Sequence, residues 1–269
     1  MLRLPAVAGR FYPSEPAELE FAVRSLVRAA PLPAARRVKA CLVPHAGYVY
    51  SGPVAGAVFA RILLPARILI LGVRHYPQGE PAAILSTGAW RTPLGDASID
   101  EALAGQLCRA CPLLKEDGVA HRREHSLEVQ LPFLQVLLED FRFVPIALGG
   151  GRYDELEAIG EAIGRVLAAV GDDVLLLASS DMNHYEDDQT TRGKDSKAIE
   201  QLLKQDPQAL YDTCRSERIS MCGLGPAVAM LTALKAVGPT RAELVRYATS
   251  ADSSGDRSSV VGYAGLIFS

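Results

Sequence analysis

The chain has 269 residues, 49% of them hydrophobic, and its 28 basic and 31 acidic side chains leave a formal net charge of -3. This near balance disfavours a nucleic-acid partner, because proteins that bind phosphate backbones carry a basic excess or a clustered basic face. The most apolar stretch, residues 61–73, is interrupted by arginine and proline and is shorter than the ~20 residues that cross a bilayer, so no membrane span is predicted.

Apolar runs typical of buried strands alternate along the chain with segments of helical periodicity. In chain order we predict a helix at 16–29, a strand at 39–43, a helix from about Pro53, strands at 67–71 and 82–86, helices at 99–109 and 125–138, a strand at 141–146, a helix at 154–169 capped by Asp154, a strand at 173–178, helices at 194–205 and 225–236, and strands at 243–248 and 260–268.

This alternation predicts an α/β fold, a three-layer αβα sandwich with a mainly parallel or mixed central sheet. The last two strands are expected to pair antiparallel. No linker rich in Pro, Gly or Ser divides the chain, so we expect a single domain over residues 1–269. The odd number of cysteines, five, and an N-terminus without the apolar segment of a secretory signal predict a cytoplasmic protein with free thiols.

Three of the five histidines follow apolar strand-like runs. His45 lies in CLVPHAGYVYSG, His75 in ILILGVRHY and His184 in VLLLASSDMNH. Open α/β sheets bind ligands in the crevice beyond the carboxyl ends of their strands. Imidazoles delivered there by separate strands can converge on one ion or substrate; the alternative for His45 is a turn histidine bonded to nearby backbone.

Two further segments carry groups that suit the same crevice. Asp181 and His184, three residues apart, can act as a metal ligand with its supporting partner or as an acid–base pair; the alternative is a helix N-cap with a satisfied histidine. Cys222 precedes a predicted helix, whose N-terminus would stabilise a thiolate. Its alternative is a small apolar side chain in the core.

A third segment, HRREHSLEVQLPFL, places His121 and His125 four residues apart but lacks the HExxH arrangement of zinc proteases. We expect His125, with Glu128, to reach the site and His121 to be exposed. Glu124 and Glu128 flank the start of a predicted helix, where carboxylates suit the helix dipole.

Taken together, PHAGYVYSGPVAG, LGVRHY, EHSLEVQLPFLQ, SSDMNHYE, MCGLGP and SSVVGYAGL resemble the Memo family, whose prokaryotic members are called AmmeMemoRadiSam system protein B. The resemblance spans nearly the whole chain, from AGRFYP at 8–13 to the last strand. It implies a fold similar to that of class III extradiol dioxygenases, which are non-haem iron enzymes.

The resemblance also implies residue roles. His45, His75 and Cys222 match the metal ligands of the family, with Fe(II) as the expected ion and copper or zinc as alternatives. Asp181 and His184 match its acidic and histidine pair, with His184 as acid–base catalyst, and His125 matches a histidine lining the same pocket. The chain departs from the family in having Gly72-Val73-Arg74 before His75, where a G-P-[NS] turn is usual.

Two functions follow as hypotheses. The first is a non-haem iron-dependent, dioxygenase-like redox enzyme for an unknown small molecule. The second is a non-catalytic protein that handles a metal or binds a peptide or other ligand. The family name also associates such proteins with radical SAM and AMMECR1-type partners.

Overall fold

The computed structural model describes residues 1–29, 34–171 and 173–269. Within these ranges the strands are β1 Leu2–Arg3, β2 Ala40–Val43, β3 Arg67–Val73, β4 Ala82–Ile84, β5 Ala89–Thr92, β6 Gly95–Ile99, β7 Lys115–Glu116, β8 Arg142–Leu148, β9 Val174–Ser179, β10 His184–Glu186, β11 Ala242–Thr249 and β12 Val260–Phe268. The helices are α1 Pro16–Arg28, α2 Tyr48–Phe59, α3 Glu101–Ala110, α4 Gly118–His121, α5 Leu131–Leu137 (preceded by a 3₁₀ turn, Glu128–Gln130), α6 Tyr153–Val170, α7 Asp188–Lys204, α8 Pro207–Ser216, α9 Leu224–Leu234 and α10 Ala251–Ser254.

One mixed sheet organises the fold, and its main path runs β1-β5-β6-β8-β3-β9-β2-β12-β10. The central strands β8, β3, β9 and β2 are parallel to their neighbours in this group, while β12 is antiparallel to β2. β2 and β9 are buried along their whole length, as expected for apolar runs covered on both faces. The predicted αβα sandwich is confirmed, with a mixed sheet, and so is the antiparallel pairing of β11 with β12.

All seven predicted strands are present, and five others, β1, β5, β6, β7 and β10, were not predicted. Each of these five has at most five residues, so the alternation that reveals a half-buried strand is too short to detect. Short helices α4, α8 and α10 were missed as well. Among the helices of the described chain, none combines the length and apolar composition needed to cross a bilayer.

The start of α2 was predicted wrongly, because Pro53 lies inside the helix rather than in its first turn. Proline lacks an N–H, so the carbonyl one turn earlier, that of Val49, loses its usual partner within the helix. The hydroxyl of Ser253 donates to this carbonyl at 2.9 Å. The hydrogen bond that Pro53 cannot donate is therefore replaced by one from a distant segment. The local sequence does not show this contact, so Pro53 by itself indicates that the helix begins later.

The start of α6 also differs: Arg152 is the N-cap residue, and the predicted cap Asp154 lies in the first turn. α7 begins at Asp188, six residues before the predicted start, because the side chain of Asp187 accepts a hydrogen bond from the N–H of Thr190. The helix predicted at 125–138 is shorter and opens with the 3₁₀ turn.

The parallel strands β3, β9 and β2 are adjacent, so their carboxyl ends emerge at the same edge of the sheet. His75, Asp181 and His45 each follow the last residue of one of these strands by two positions. The fold thus delivers three of the predicted site residues to one crevice, as expected for an open α/β sheet.

Candidate metal centre

Three imidazoles meet at this edge of the sheet. One ring nitrogen from each of His45, His75 and His125 lies within 4.8 Å of the other two. The ring centroids are 5.3 Å apart for His45 and His75, 5.5 Å for His45 and His125, and 4.4 Å for His75 and His125. His125 comes from the segment between α4 and the 3₁₀ turn, so the group joins two strand ends and a loop.

The tautomer of His45 follows from its hydrogen bonds. Its Nδ1 lies 2.9 Å from Oγ of Ser179, and the Ser179 hydroxyl donates its one hydrogen to the carbonyl of Ser126 at 2.7 Å. Nδ1 of His45 must therefore carry the hydrogen of their contact, which leaves a lone pair on Nε2. Burial, and then the nearby charge of His75, lower the pKa of His45 to about 3, so the ring is neutral at pH 7.

A buried carboxylate holds His75. Nδ1–H of His75 donates to Oε1 of Glu124 at 2.9 Å, and the backbone N–H of His75 donates to Oε2 at 2.8 Å. Burial by itself would raise the pKa of Glu124, but the hydrogen bond and charge of His75 and the N–H of Ser126 lower it to about 2. The carboxylate is thus ionised at pH 7 and directs the Nε2 lone pair of His75 away from itself.

His125 stacks on His75, with 22° between the ring planes, and contacts the tilted ring of Phe11, with centroids 4.8 Å apart and 60° between the planes. Its Nδ1 lies 3.7 Å from Oε1 of Glu124. Burial, followed by the charge of His45, lowers the pKa of His125 to about 4. From sequence we placed His125 in the pocket lining and Cys222 among the ligands; the geometry groups His125 with the two other imidazoles.

Cys222 lies beside the three imidazoles, immediately before the N-cap residue of α9. Its Sγ is 3.2 Å from Nε2 of His45 and accepts a hydrogen bond from the N–H of Asp181 at 3.3 Å. Burial, and then the charge of Asp181, raise the pKa of the thiol well above its ordinary value. The surroundings therefore favour the thiol over the expected thiolate, and its S–H is within reach of two acceptors, Nε2 of His45 and the carbonyl of Asp181 at 3.6 Å.

Asp181 and His184 are near each other but have separate partners. Oδ1 of Asp181 accepts the backbone N–H of His45 at 2.7 Å, and burial raises the pKa of this carboxyl despite that bond. Nδ1–H of His184 donates to the carbonyl of Ser220 at 3.0 Å, and its backbone N–H donates to Ser220 Oγ at 2.8 Å. Ser220, rather than Asp181, therefore orients His184, and with Nδ1 as the donor the lone pair of the neutral ring is on Nε2.

These groups share one open pocket of about 590 Å³. It is lined by Phe11, His45, Ala46, Gly47, His75, His125, Asp181, His184, Tyr185, Ser220, Cys222 and Val261.

Two expectations for the HRREHSLE segment were wrong. His121 is completely buried against Trp90 rather than exposed. Glu128 does not face the site, because its carboxylate accepts hydrogen bonds from the guanidinium of Arg3 and the hydroxyl of Tyr12. Sequence reasoning also missed the supporting role of Glu124, since a carboxylate near a helix start looks the same whether it faces solvent or an imidazole.

Neutral imidazoles with lone pairs directed at one point are the usual ligands of divalent transition metals. A carboxylate behind a ligating histidine fixes the ring and raises its basicity, and Glu124 occupies that position relative to His75. The donor set therefore fits a transition-metal ion. It fits Ca²⁺ or Mg²⁺ poorly, because these ions prefer oxygen ligands.

Comparison with known proteins agrees with the motifs. The sequence profile of the family described as Memo-like protein matches residues 3–267. The chain belongs to the Memo family. This Memo protein is 41% identical over 280 residues to a MEMO1 family protein of Methanopyrus kandleri, with 100% of this chain and 99% of that protein covered. It is 40% identical over 267 residues to one of Methanosarcina barkeri, with 99% of each covered.

A solved structure, that of an uncharacterized protein of Escherichia coli K12, is similar to the Memo chain with a TM-score of 0.57. The match covers 86% of this chain and 100% of the other at 14% sequence identity. This likeness concerns the fold alone.

Proposed function

We propose that this Memo protein is a metal-dependent redox enzyme that acts on a small molecule, with a non-haem Fe(II) ion held by His45, His75 and His125. The observation that carries the proposal is the approach of three ring nitrogens to within 4.8 Å of one another inside an open pocket. Three protein donors leave coordination positions for other ligands, which is the arrangement of catalytic rather than structural metal sites. Bound Fe(II) would supply one-electron chemistry with O2.

Hydrogen bonds within the protein set the tautomers of His45 and His75 in the absence of an ion. The hydroxyl of Ser179 and the carboxylate of Glu124 accept the Nδ1–H groups of His45 and His75, so the lone pair of each ring lies on Nε2. The low pKa of His45, about 3, and of His125, about 4, keep these rings unprotonated at pH 7. No proton has to leave either ring before it can ligate an ion.

His184 supplies a proton acceptor that is separate from the three donors. Its Nδ1–H donates to the Ser220 carbonyl, so Nε2 carries the lone pair, and the residue lines the pocket. A substrate hydroxyl within hydrogen-bond reach of Nε2 would transfer its proton there. Asp181 acts differently, because its carboxylate holds the backbone of His45 in place.

Metal content tests the proposal. Wild type, His45→Ala, His75→Ala and His184→Ala are purified anaerobically and reconstituted with Fe(II), and bound iron is measured. We expect about one iron per chain in wild type and His184→Ala and little in the other two, because only the latter lose a donor. Equal iron content in wild type and His45→Ala would refute the assignment.

Oxygen uptake with a panel of catechols and other aromatic substrates then tests turnover. His184→Ala serves as the matched variant, since it removes a pocket imidazole without removing a donor. The proposal predicts uptake by wild type and a loss of about 100-fold or more in His184→Ala, the usual contribution of a general base.

The contact between Cys222 and His45 favours a second candidate, a protein that stores or transfers a metal. A thiolate in place of the thiol would add a fourth, softer donor and close the site, which suits copper or zinc. Cys222→Ser separates the two functions. Storage predicts no oxygen uptake across the panel and a large loss of copper affinity in this variant, whereas the enzyme predicts that iron binding and uptake persist.

A further inference from the structure

Tyr185 has an unusual backbone at the mouth of the pocket. In the antiparallel pairing of β10 with β12, His184 is opposite Val261 and Glu186 is opposite Val260, so Tyr185 between them has no partner. This is a β-bulge, and Tyr185 adopts a φ of 63° in it. Glycine is the residue usually found at a left-handed bulge position, because a side chain there is sterically unfavourable.

Burial of the Tyr185 ring does not offset the steric strain of this backbone conformation. The residue is 78% exposed, although it lines the pocket. Its ring contacts that of His184 edge-on, with centroids 5.5 Å apart and 61° between the planes. Bulges beside active sites often redirect a side chain, and strained residues that persist without a stabilising role are candidates for function.

Apolar side chains form part of the lining of the pocket that the ring borders. Phe11 and Val261 contribute apolar surface, and of the described residues that line it none is a lysine or an arginine. A ligand with a flat apolar face therefore fits this part of the lining.

We infer that Tyr185 is a specificity-determining residue whose ring packs against a planar aromatic group of the ligand, next to the proton acceptor His184. The inference rests on the proposed function for the position of the metal and adds the class of substrate. Aromatic pairs at such distances prefer edge-to-face or offset geometry, and the exposed faces of the Tyr185 ring allow both.

Binding of 2-naphthol, measured by titration calorimetry to the iron-reconstituted protein under anaerobic conditions, tests the inference. Decahydro-2-naphthol has the same hydroxyl on a saturated ring system. We expect 2-naphthol to bind more tightly than this saturated analogue. Tyr185→Gly should weaken its binding about 2- to 10-fold, the range expected for loss of one aromatic pair.

Tyr185→Phe is the matched control, because it retains the ring and should bind 2-naphthol within about 2-fold of wild type. Thermal unfolding checks the fold, and Tyr185→Gly should melt no lower than wild type since glycine accepts a φ of 63°. Equal affinity of wild type and Tyr185→Gly for 2-naphthol, equal affinity for the saturated analogue, or no binding of 2-naphthol would overturn the inference. Iron content of the same samples reports separately on the proposed function.

Discussion

Nδ1 of His75 lies 2.9 Å from Oε1 of Glu124, a carboxylate with no exposed surface. The same carboxylate accepts the backbone N–H groups of His75 and Ser126. One buried acidic side chain therefore fixes both the ring and the main chain of His75, which we propose as a metal ligand. Partners of this kind orient a ligating ring and raise its basicity.

Replacing Glu124 by glutamine should lower the affinity for Fe(II) or Zn(II) about 10- to 100-fold. Glutamine retains an oxygen acceptor but not the negative charge that makes the His75 ring more basic. Competition with a metal chelator measures the affinity. Glu200→Gln, at an exposed position paired with Lys204, is the control and should bind like wild type; equal affinities in all three proteins would contradict this role for Glu124.

His121 should make the protein sensitive to acid. Burial, and then the charge of Arg3, lower its folded-state pKa from 6.5 to about 4, so the native ring stays neutral while the unfolded ring takes up a proton below pH 6.5. The unfolded state thus binds more protons between these values, and stability falls as the pH falls through that window. Between pH 8 and pH 5 the titration of His121 lowers the free energy of unfolding by about 2 kcal/mol.

His121→Phe removes that titration and keeps a ring beside Trp90. Urea unfolding at pH 8 and pH 5 should show a loss of stability between the two pH values that is about 2 kcal/mol smaller than in wild type. The other imidazoles remain in both proteins, so their contributions cancel. An unchanged pH dependence would show that His121 has an ordinary pKa in the folded state.

Arg3 should be important for stability because it lies opposite a buried carboxylate. Its guanidinium pairs with Glu128 and also donates to the carbonyls of His121 and Glu124. Arg3→Met leaves the charge of Glu128 without its cation, which should cost about 3–5 kcal/mol of unfolding free energy. Arg24→Met, which breaks the half-exposed pair with Glu20, should cost less than ~1 kcal/mol in the same denaturation experiment.

Replacing two helical glycines by alanine should change the stability of the protein in opposite directions. A Cβ on Gly160 in α6 would lie 2.6 Å from the carbonyl oxygen of Ala229 in α9, so Gly160→Ala forces the helices apart and should destabilise by about 1–3 kcal/mol. A Cβ on Gly193 in α7 meets no atom within 4 Å. Gly193→Ala should therefore stabilise by about 0.5–1 kcal/mol. Thermal unfolding of both variants checks the pair.

The central sheet was predictable because its strands are apolar on both faces. β2, β3 and β9 are continuous hydrophobic runs, and a run of this kind has few stable alternatives to a buried strand. β10 was not predictable, because its three residues include the bulge at Tyr185 and owe their conformation to pairing with β12. Short elements of this type depend on partners far away in the chain.

The candidate site divides in the same way. Residues at strand ends, His45 and His75, were located from sequence, since parallel strands bring their carboxyl ends to one edge. The grouping of His125 with them, and the role of Ser220 in orienting His184, depend on loops whose conformation no local pattern specifies. Sequence therefore placed the crevice but did not identify the partners of each ring.

Glu124 and Glu128 show most clearly what the sequence alone does not predict. Both precede the same helix, and both are carboxylates for which sequence predicts only a favourable interaction with the helix dipole. The amino-acid pattern by itself determined the family, the sheet and the edge at which polar groups collect. Only the tertiary structure decided that Glu124 supports His75 while Glu128 pairs with Arg3, which is 125 residues away, because the partner of a buried charge is chosen by packing rather than by neighbours in the chain.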